Sequence, residues 1–396
     1  MKYAIVIPDG AADRPVAALN GRTPLEVARL PHINRIAAEG RLGTVQTIPD
    51  GMAPGSDVAI LSLLGYDPKA SYTGRAPLEA VARGINLGPD DWVFRCNLVT
   101  AADGQMVDYS AGHITTKEAA VLIAALQERL GNPSLRFYAG IGYRHLVVIH
   151  GETFRVETVP PHDIMGSPLK RHLPKGKNAR RLKELMEASS RVLADHLINK
   201  VRRDLGENMA TQIWLWGQGQ KPALASFAQR WGVRGAAITA VDLVRGIAQL
   251  VGWDVIEVEG ATAYYDTNYR GKGEAAIKAL RDHDLVVVHV EASDEAGHNG
   301  DSREKVRALE AVDREIVGPL LAALESRGEP WRILVSPDHE TPVELRTHER
   351  QPVPFAMMGT GLQAARPGGP MTEAEARKTG MHVAVGHELM EYFLKR

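Results

Sequence analysis

Apolar residues run unbroken through YAIVIP (3 to 8) until they meet Asp9, while the segment from Pro31 to Glu39 places its apolar positions at helical spacing and stops at Gly40. That order, strand then helix, returns towards the other end. DLVVVHVE (284 to 291) predicts a buried strand, REKVRALEAVDREIVGPLLAAL (303 to 324) a long helix, and RILVSPD (332 to 338) another strand. Strands alternating with helices predict an α/β fold with a mostly parallel sheet flanked by helices, because parallel neighbours need a crossover connection. Between these ends the pattern changes. Gly-rich and charged stretches carry hairpin-like runs such as RHLVVIH (144 to 150) and a charged helix expected from about Asn178 to Arg203. We read residues 86–204 as an inserted, smaller α+β domain that interrupts a core formed by residues 1–85 and 205–396.

The chain has 396 residues, 44% of them hydrophobic. That is beyond the roughly 250 to 300 residues at which one core stops growing, so a second domain is expected. Lysine plus arginine number 47 against 48 for aspartate plus glutamate, a formal charge of -1. This balance argues against nucleic acid or a membrane as partner. No apolar run approaches a membrane span, and MKYAIVIPDG is too short and too soon polar for a signal peptide, so a cytoplasmic chain is expected. No pattern specifies an oligomeric state. Cys96 is the only cysteine, which rules out an intramolecular disulfide and a multi-thiolate zinc site. Any metal must then be held by carboxylates and by some of the 14 histidines.

Ligand-type residues stand where strands end. YAIVIP runs into Asp9, LVVVHVE is followed by Asp294 and His298, and RILVSP runs into Asp338 and His339. In open α/β sheets the site lies beyond the carboxyl ends of the strands, so groups far apart in sequence can converge there. Asp294 and His298 in DEAGH are spaced i to i+4, one face of a helical turn. His348 follows in THERQPVPF. An isolated Asp-His pair is more often structural, but repetition at successive strand ends brings a metal site level with that reading. A mixed oxygen and nitrogen set suits manganese or zinc better than calcium, with magnesium less favoured where imidazoles are numerous.

GMAPGSDVAILSLLGYDP places Ser56 at the start of an apolar helix that Gly65 stops. A serine there can simply cap the helix. The same geometry serves a nucleophile, since a helix N-terminus stabilises a phosphate and glycine lets it approach. Competing motifs are missing from the sequence: there is no GxxxxGK[ST] loop, no HExxH and no GxSxG elbow, and GQGQKP (217 to 222) lacks the third glycine of a dinucleotide fingerprint.

Taken together, PDG at the N-terminus, PGSDVAILSLLGYDP, TGRAPLEA, FRCNLVT, DEAGH, PDHETP and His348 followed by PVPF resemble the cofactor-independent phosphoglycerate mutases, in the archaeal-type branch of the alkaline phosphatase superfamily. The motifs occur in family order over nearly the whole chain. The resemblance implies an alkaline-phosphatase-like core and two divalent metal ions, commonly manganese, zinc or magnesium. One ion would be held by Asp294, His298 and His348, the other by Asp9, Ser56, Asp338 and His339. It further implies an isomerase of glycolysis and gluconeogenesis that interconverts 3-phosphoglycerate and 2-phosphoglycerate without 2,3-bisphosphoglycerate, through a phosphoserine on Ser56. The small phosphorylated substrate would be held by Arg75 in YTGRAPLEA, Arg95 in FRCN and Arg144 in GYRH, with Lys175 or Lys177 in LPKGKN as further candidates.

Archaeal-type mutases carry an arginine-rich run where this chain has VDYSAGHI (107 to 114), placing Tyr109, Ser110 and His113 in positions that arginines would fill. This form resembles a bacterial subgroup proposed to act as homoserine kinase. A homoserine kinase-like phosphotransferase, a metal-dependent phosphatase and a metal-binding protein without catalysis therefore stand as alternatives. Dependence on nucleotide and release of free phosphate separate them.

Overall fold

The computed structural model describes residues 1–362 and 368–395. The chain forms two compact units, one from Met1–Tyr72 with Ala223–Arg396 and one from Thr73–Pro222. Among the described residues no helix is long and apolar enough to cross a membrane.

The first unit is built on an eight-stranded sheet in the order Asp254–Val255, Gly235–Ile238, Leu285–Val290, Lys2–Pro8, Trp331–Val335, Val353–Gly359, Arg41–Val45 and His382–Val383. Only Val353–Gly359 opposes its neighbours; the other pairings are parallel. The centre is Lys2–Pro8, buried from Tyr3 onward as expected for a parallel strand covered on both faces. Full burial of side chains such as Ile5, Ile7, Val288 and Leu334 stabilises the fold by about 1.5–3 kcal/mol each. Register then decides where the chemistry sits. Ile5 lies opposite both Val287 and Leu334, and Pro8 opposite Val290. Two of these strands thus finish level and Trp331–Val335 ends opposite Val6, two residues short, so the residues after all three leave the sheet on the same edge.

Helices cover this sheet. Pro31–Glu39 starts with proline, whose missing N–H costs nothing there, and buries Ile33, Ile36 and Ala37. Its first amides are capped from afar: the Asp313 carboxylate accepts from the N–H of His32 at 3.3 Å and of Ile33 at 2.7 Å. The long helix expected over 303–324 forms as Ser302–Val312 and Gly318–Ser326 joined by a π-helical turn, Asp313–Val317, which carries that capping carboxylate.

The second unit holds a five-stranded antiparallel sheet of Asp91–Ala102, Gln105–Asp108, Leu135–Ile141, Arg144–His150 and Gln212–Gln220. Helices Thr116–Leu130 and Ala179–Ala194 pack on it around a core that includes Phe94, Phe154, Leu122, Leu182 and Trp214. The borders at 73 and 222 lie outside the expected 86 and 204. The reason is packing: helix Arg75–Ala82 and strand Gln212–Gln220 both lie against strand Asp91–Ala102. The single charged helix expected over 178–203 is two helices, Ala179–Ala194, which ends at Asp195, and Leu197–Asp204, which His196 caps by accepting from the Ile198 N–H at its ring nitrogen at 3.2 Å.

Candidate metal centre and active site

Asp9 follows strand Lys2–Pro8 directly and is fully buried. Its Oδ2 accepts from His289 Nε2 at 2.8 Å and lies 3.3 Å from Ser56 Oγ, whereas its Oδ1 has no hydrogen-bond partner. Asp338, equally buried, repeats the arrangement. Its Oδ1 accepts from the N–H of Gly10 at 3.1 Å and of His339 at 3.0 Å, and its Oδ2 is left without a partner. A buried carboxylate oxygen without a donor is costly, so a pair of them beside one imidazole points to a cation. His339 Nε2 lies between them, 3.5 Å from Asp9 Oδ1 and 3.3 Å from Asp338 Oδ2. It is also 3.1 Å from Ser56 Oγ.

The second cluster forms around Asp294. Helix Ala292–Asn299 turns Asp294 and His298 to one face, placing His298 Nε2 3.2 Å from Asp294 Oδ2. His348 Nε2 comes within 3.5 Å of Asp294 Oδ1 and 2.9 Å of His298 Nε2. His298 Nδ1 donates to the Arg346 carbonyl at 3.0 Å, so Nε2 is the ring nitrogen that faces the cluster. Close packing brings the clusters together. Gly10 has a φ of +58° and any Cβ there would lie 2.5 Å from both Asp294 Oδ1 and Thr341 Oγ1. Only glycine fits.

The electrostatics match this reading. Burial, then the carboxylates of Asp338, Glu291 and Asp294, pushes Asp9 well above its ordinary value. Burial also raises Glu291 to about 7, with Asp294 and Asp338 adding to it. Against burial, hydrogen bonds from His298 and His348 hold Asp294 well below the usual carboxylate range. The same contact raises His298 to about 9. Crowded acids that repel one another are what divalent cations relieve.

The structure thus brings together Asp9, Ser56, Asp294, His298, Asp338, His339 and His348. Ligand atoms within 4.8 Å of one another form the groups Asp9–Asp338–His339, Asp294–His339–His348 and Asp9–His289–Glu291. His339 therefore stands in both main clusters, which its assignment to one ion did not anticipate. Ser56 is the first residue of helix Ser56–Leu63, Gly55 holds the capping position, and the Ser56 hydroxyl makes no cap. Its hydroxyl faces the Asp9 and His339 group instead. Sequence reasoning missed His289, Glu291 and Thr341. A histidine inside the otherwise apolar LVVVHV was the available signal for the first.

In the second unit, Arg75 and Arg95 both meet Glu79, each through Nε at 3.2 Å. The Arg95 guanidinium lies 4.1 Å from the Trp216 ring centroid, and that of Arg144 lies 5.7 Å from the ring of Tyr143. Burial lowers Arg95 to about 10, and the charges of Arg75 and Arg144 act in the same direction. Arg75 and Arg95 thus share one glutamate, and Arg144 stands near enough for its charge to act on Arg95. Tyr109 joins them through ring contacts with Tyr143 at 5.5 Å and His162 at 6.0 Å. Ser110 does otherwise: its hydroxyl and N–H both donate to Asp108 Oδ1, closing a turn. Lys175 and Lys177 sit exposed on a two-stranded ribbon with Arg155–Glu157.

Residues 37–199 match the family model described as 2,3-bisphosphoglycerate-independent phosphoglycerate mutase. A protein of that name from Methanothrix thermoacetophila is 51% identical over 91% of this chain and 92% of its own. A probable mutase of the same description from Geobacter sulfurreducens is 49% identical over 100% of both chains. A solved structure of a Pyrococcus horikoshii protein is 31% identical with a TM-score of 0.84, covering 99% of this chain and 96% of that one. With the fold matched end to end and half the residues shared along it, the chain belongs to the 2,3-bisphosphoglycerate-independent phosphoglycerate mutase family.

Proposed function

We propose that this chain interconverts 3-phosphoglycerate and 2-phosphoglycerate in the cytoplasm, as a step of glycolysis and gluconeogenesis, through a phosphoserine on Ser56. The observation that carries the reading is the position of Ser56 Oγ, 3.1 Å from His339 Nε2 and 3.3 Å from Asp9 Oδ2, at the start of a helix. That the curated relatives of about half identity bear the mutase name supports it.

Two divalent cations, manganese, zinc or magnesium, would be held by Asp294, His298 and His348 and by Asp9, Ser56, Asp338 and His339. When bound, they supply neutralisation of phosphoryl charge and a lower pKa for the serine hydroxyl. Ser56 Oγ gives up its proton and attacks phosphorus in line as the bond to the glycerate oxygen breaks, and that oxygen takes up a proton in its place. The other glycerate hydroxyl then loses its proton and attacks the phosphoserine as the bond between phosphorus and Ser56 Oγ breaks, and Oγ regains a proton. Arg75, Arg95 and Arg144 hold the carboxylate and phosphate meanwhile. Exclusion of water separates this transfer from hydrolysis.

Purified protein with Mn2+ is tested on 3-phosphoglycerate without nucleotide, beside homoserine with ATP. Appearance of 2-phosphoglycerate is the expected outcome. Phosphohomoserine in the second tube with no conversion in the first would overturn the reading, as would free phosphate as the sole product.

A further inference from the structure

Thr341 belongs to neither ligand set, yet it touches both. Its Oγ1 lies 2.5 Å from Asp294 Oδ1 and 3.2 Å from His339 Nδ1, and the residue is fully buried. A hydroxyl has one hydrogen to give. The short contact to a carboxylate oxygen takes it, so Thr341 Oγ1 accepts from His339 Nδ1–H. The direction of the chain is therefore fixed as His339 Nδ1–H to Thr341 Oγ1–H to Asp294 Oδ1. His339 Nε2 then carries no hydrogen and accepts from the Ser56 hydroxyl at 3.1 Å, the shorter of that hydroxyl's two contacts, with Asp338 Oδ2 and Asp9 Oδ1 beside it at 3.3 and 3.5 Å.

The threonine itself cannot drift. Its carbonyl accepts from Lys305 Nζ at 2.8 Å, and its N–H donates to the Ala12 carbonyl at 3.3 Å. Helix Ala292–Asn299 presses on it closely enough that a Cβ on Gly297 would lie 2.3 Å from the Thr341 carbonyl oxygen. One hydroxyl, held from several sides, sets both the orientation of the Asp294 carboxylate and the tautomer of His339.

We propose that Thr341 is a positioning residue that couples the two cation sites, so that losing its hydroxyl weakens both although neither loses a ligand. This rests on the reading of the two clusters as cation sites. Partners of metal ligands fix ring orientation and tautomer, and their removal weakens metal binding by about 10–100-fold.

The test is a Mn2+ titration by calorimetry of the full chain, of Thr341→Val, which keeps the shape and removes the hydroxyl, and of Thr341→Ser, which keeps the hydroxyl. Thr341→Val should retain two binding steps with both weakened about 10–100-fold, and Thr341→Ser should restore them to within a few-fold. Weakening of one step alone, or of none, would overturn the coupling. A second measurement does not depend on whether the variants fold. Histidine side-chain nitrogen NMR of the unsubstituted, metal-free protein, at a pH where imidazole is neutral, should place the His339 hydrogen on Nδ1. A hydrogen on Nε2 would overturn the proposal. If the unsubstituted chain takes up no Mn2+, the cation-site reading falls and the coupling with it, while the NMR result still decides the hydrogen-bond chain by itself.

Discussion

His298 and His348 face each other Nε2 to Nε2 at 2.9 Å across a separation of fifty residues in the chain. Two imidazole nitrogens so close must share a proton or a cation, since two lone pairs or two N–H groups would repel. His348→Ala should therefore remove one of two Mn2+ binding steps and leave the other measurable. Calorimetry that still finds two steps of unchanged strength would take His348 out of the site.

Ser56→Ala removes the hydroxyl beside His339 and Asp9 without touching a carboxylate or an imidazole. Transfer should disappear while most Mn2+ binding remains. Intact-mass spectrometry after incubation with 3-phosphoglycerate should find a phosphorylated fraction in the unsubstituted protein and none in the variant. Retained turnover would end the phosphoserine route.

Arg95→Lys keeps the charge but loses the planar fork and the stacking on Trp216. A hydrogen bond to a charged group is worth about 1.5–3 kcal/mol, so kcat/KM should fall by roughly 10–100-fold. A variant within twofold of the parent would mean that Arg95 serves the packing of its unit and not the substrate.

Much of this was legible because buried parallel strands are continuous apolar runs, and YAIVIP and LVVVHV announce themselves. The convergence of Asp9, Asp294, Asp338 and His339 was legible for a related reason: acids and histidines are conspicuous where an apolar run stops. Borders were less so. Nothing local in Arg75–Ala82 shows that its partner is strand Asp91–Ala102, for an amphipathic helix looks the same whichever sheet it covers. Thr341 was not visible at all. A threonine carries no ligand signature, and its role exists only once Asp294 and His339, 47 and 2 positions away, have been folded onto it.

Lys305 is a fully buried ammonium that donates to Asp13 Oδ2 at 2.7 Å and to the Thr341 carbonyl at 2.8 Å. Lys305→Met leaves the Asp13 carboxylate buried without its counter-charge. Breaking a buried pair this way costs about 3–5 kcal/mol, to be read from urea unfolding of the metal-free protein. A loss below about 1 kcal/mol would show that water reaches Asp13.

His145 reports on the second unit. Its Nδ1 accepts from the Gly140 N–H at 2.9 Å, and burial, with the charge of Arg83 adding to it, lowers its pKa to about 3. The unfolded chain takes up a proton near pH 6.5 and the folded one does not, so this contribution to stability is complete above that pH and is lost as pH falls towards 3. His145→Asn keeps an acceptor for Gly140 and cannot titrate. Its stability should change less with pH across that window; profiles of equal slope would assign the acid sensitivity elsewhere.

The segment that carries the arginines begins and ends at one place. The Thr73 hydroxyl donates to the Gln220 carbonyl, and Gly219 passes so near Thr73 that a Cβ on it would lie 2.5 Å from the Thr73 carbonyl oxygen. On the other side of that junction, Tyr66 donates its hydroxyl to the Ala225 carbonyl at 2.8 Å. A stretch whose two ends meet leaves and rejoins the chain at one point, so a change in its length need not spread the strands on either side of it.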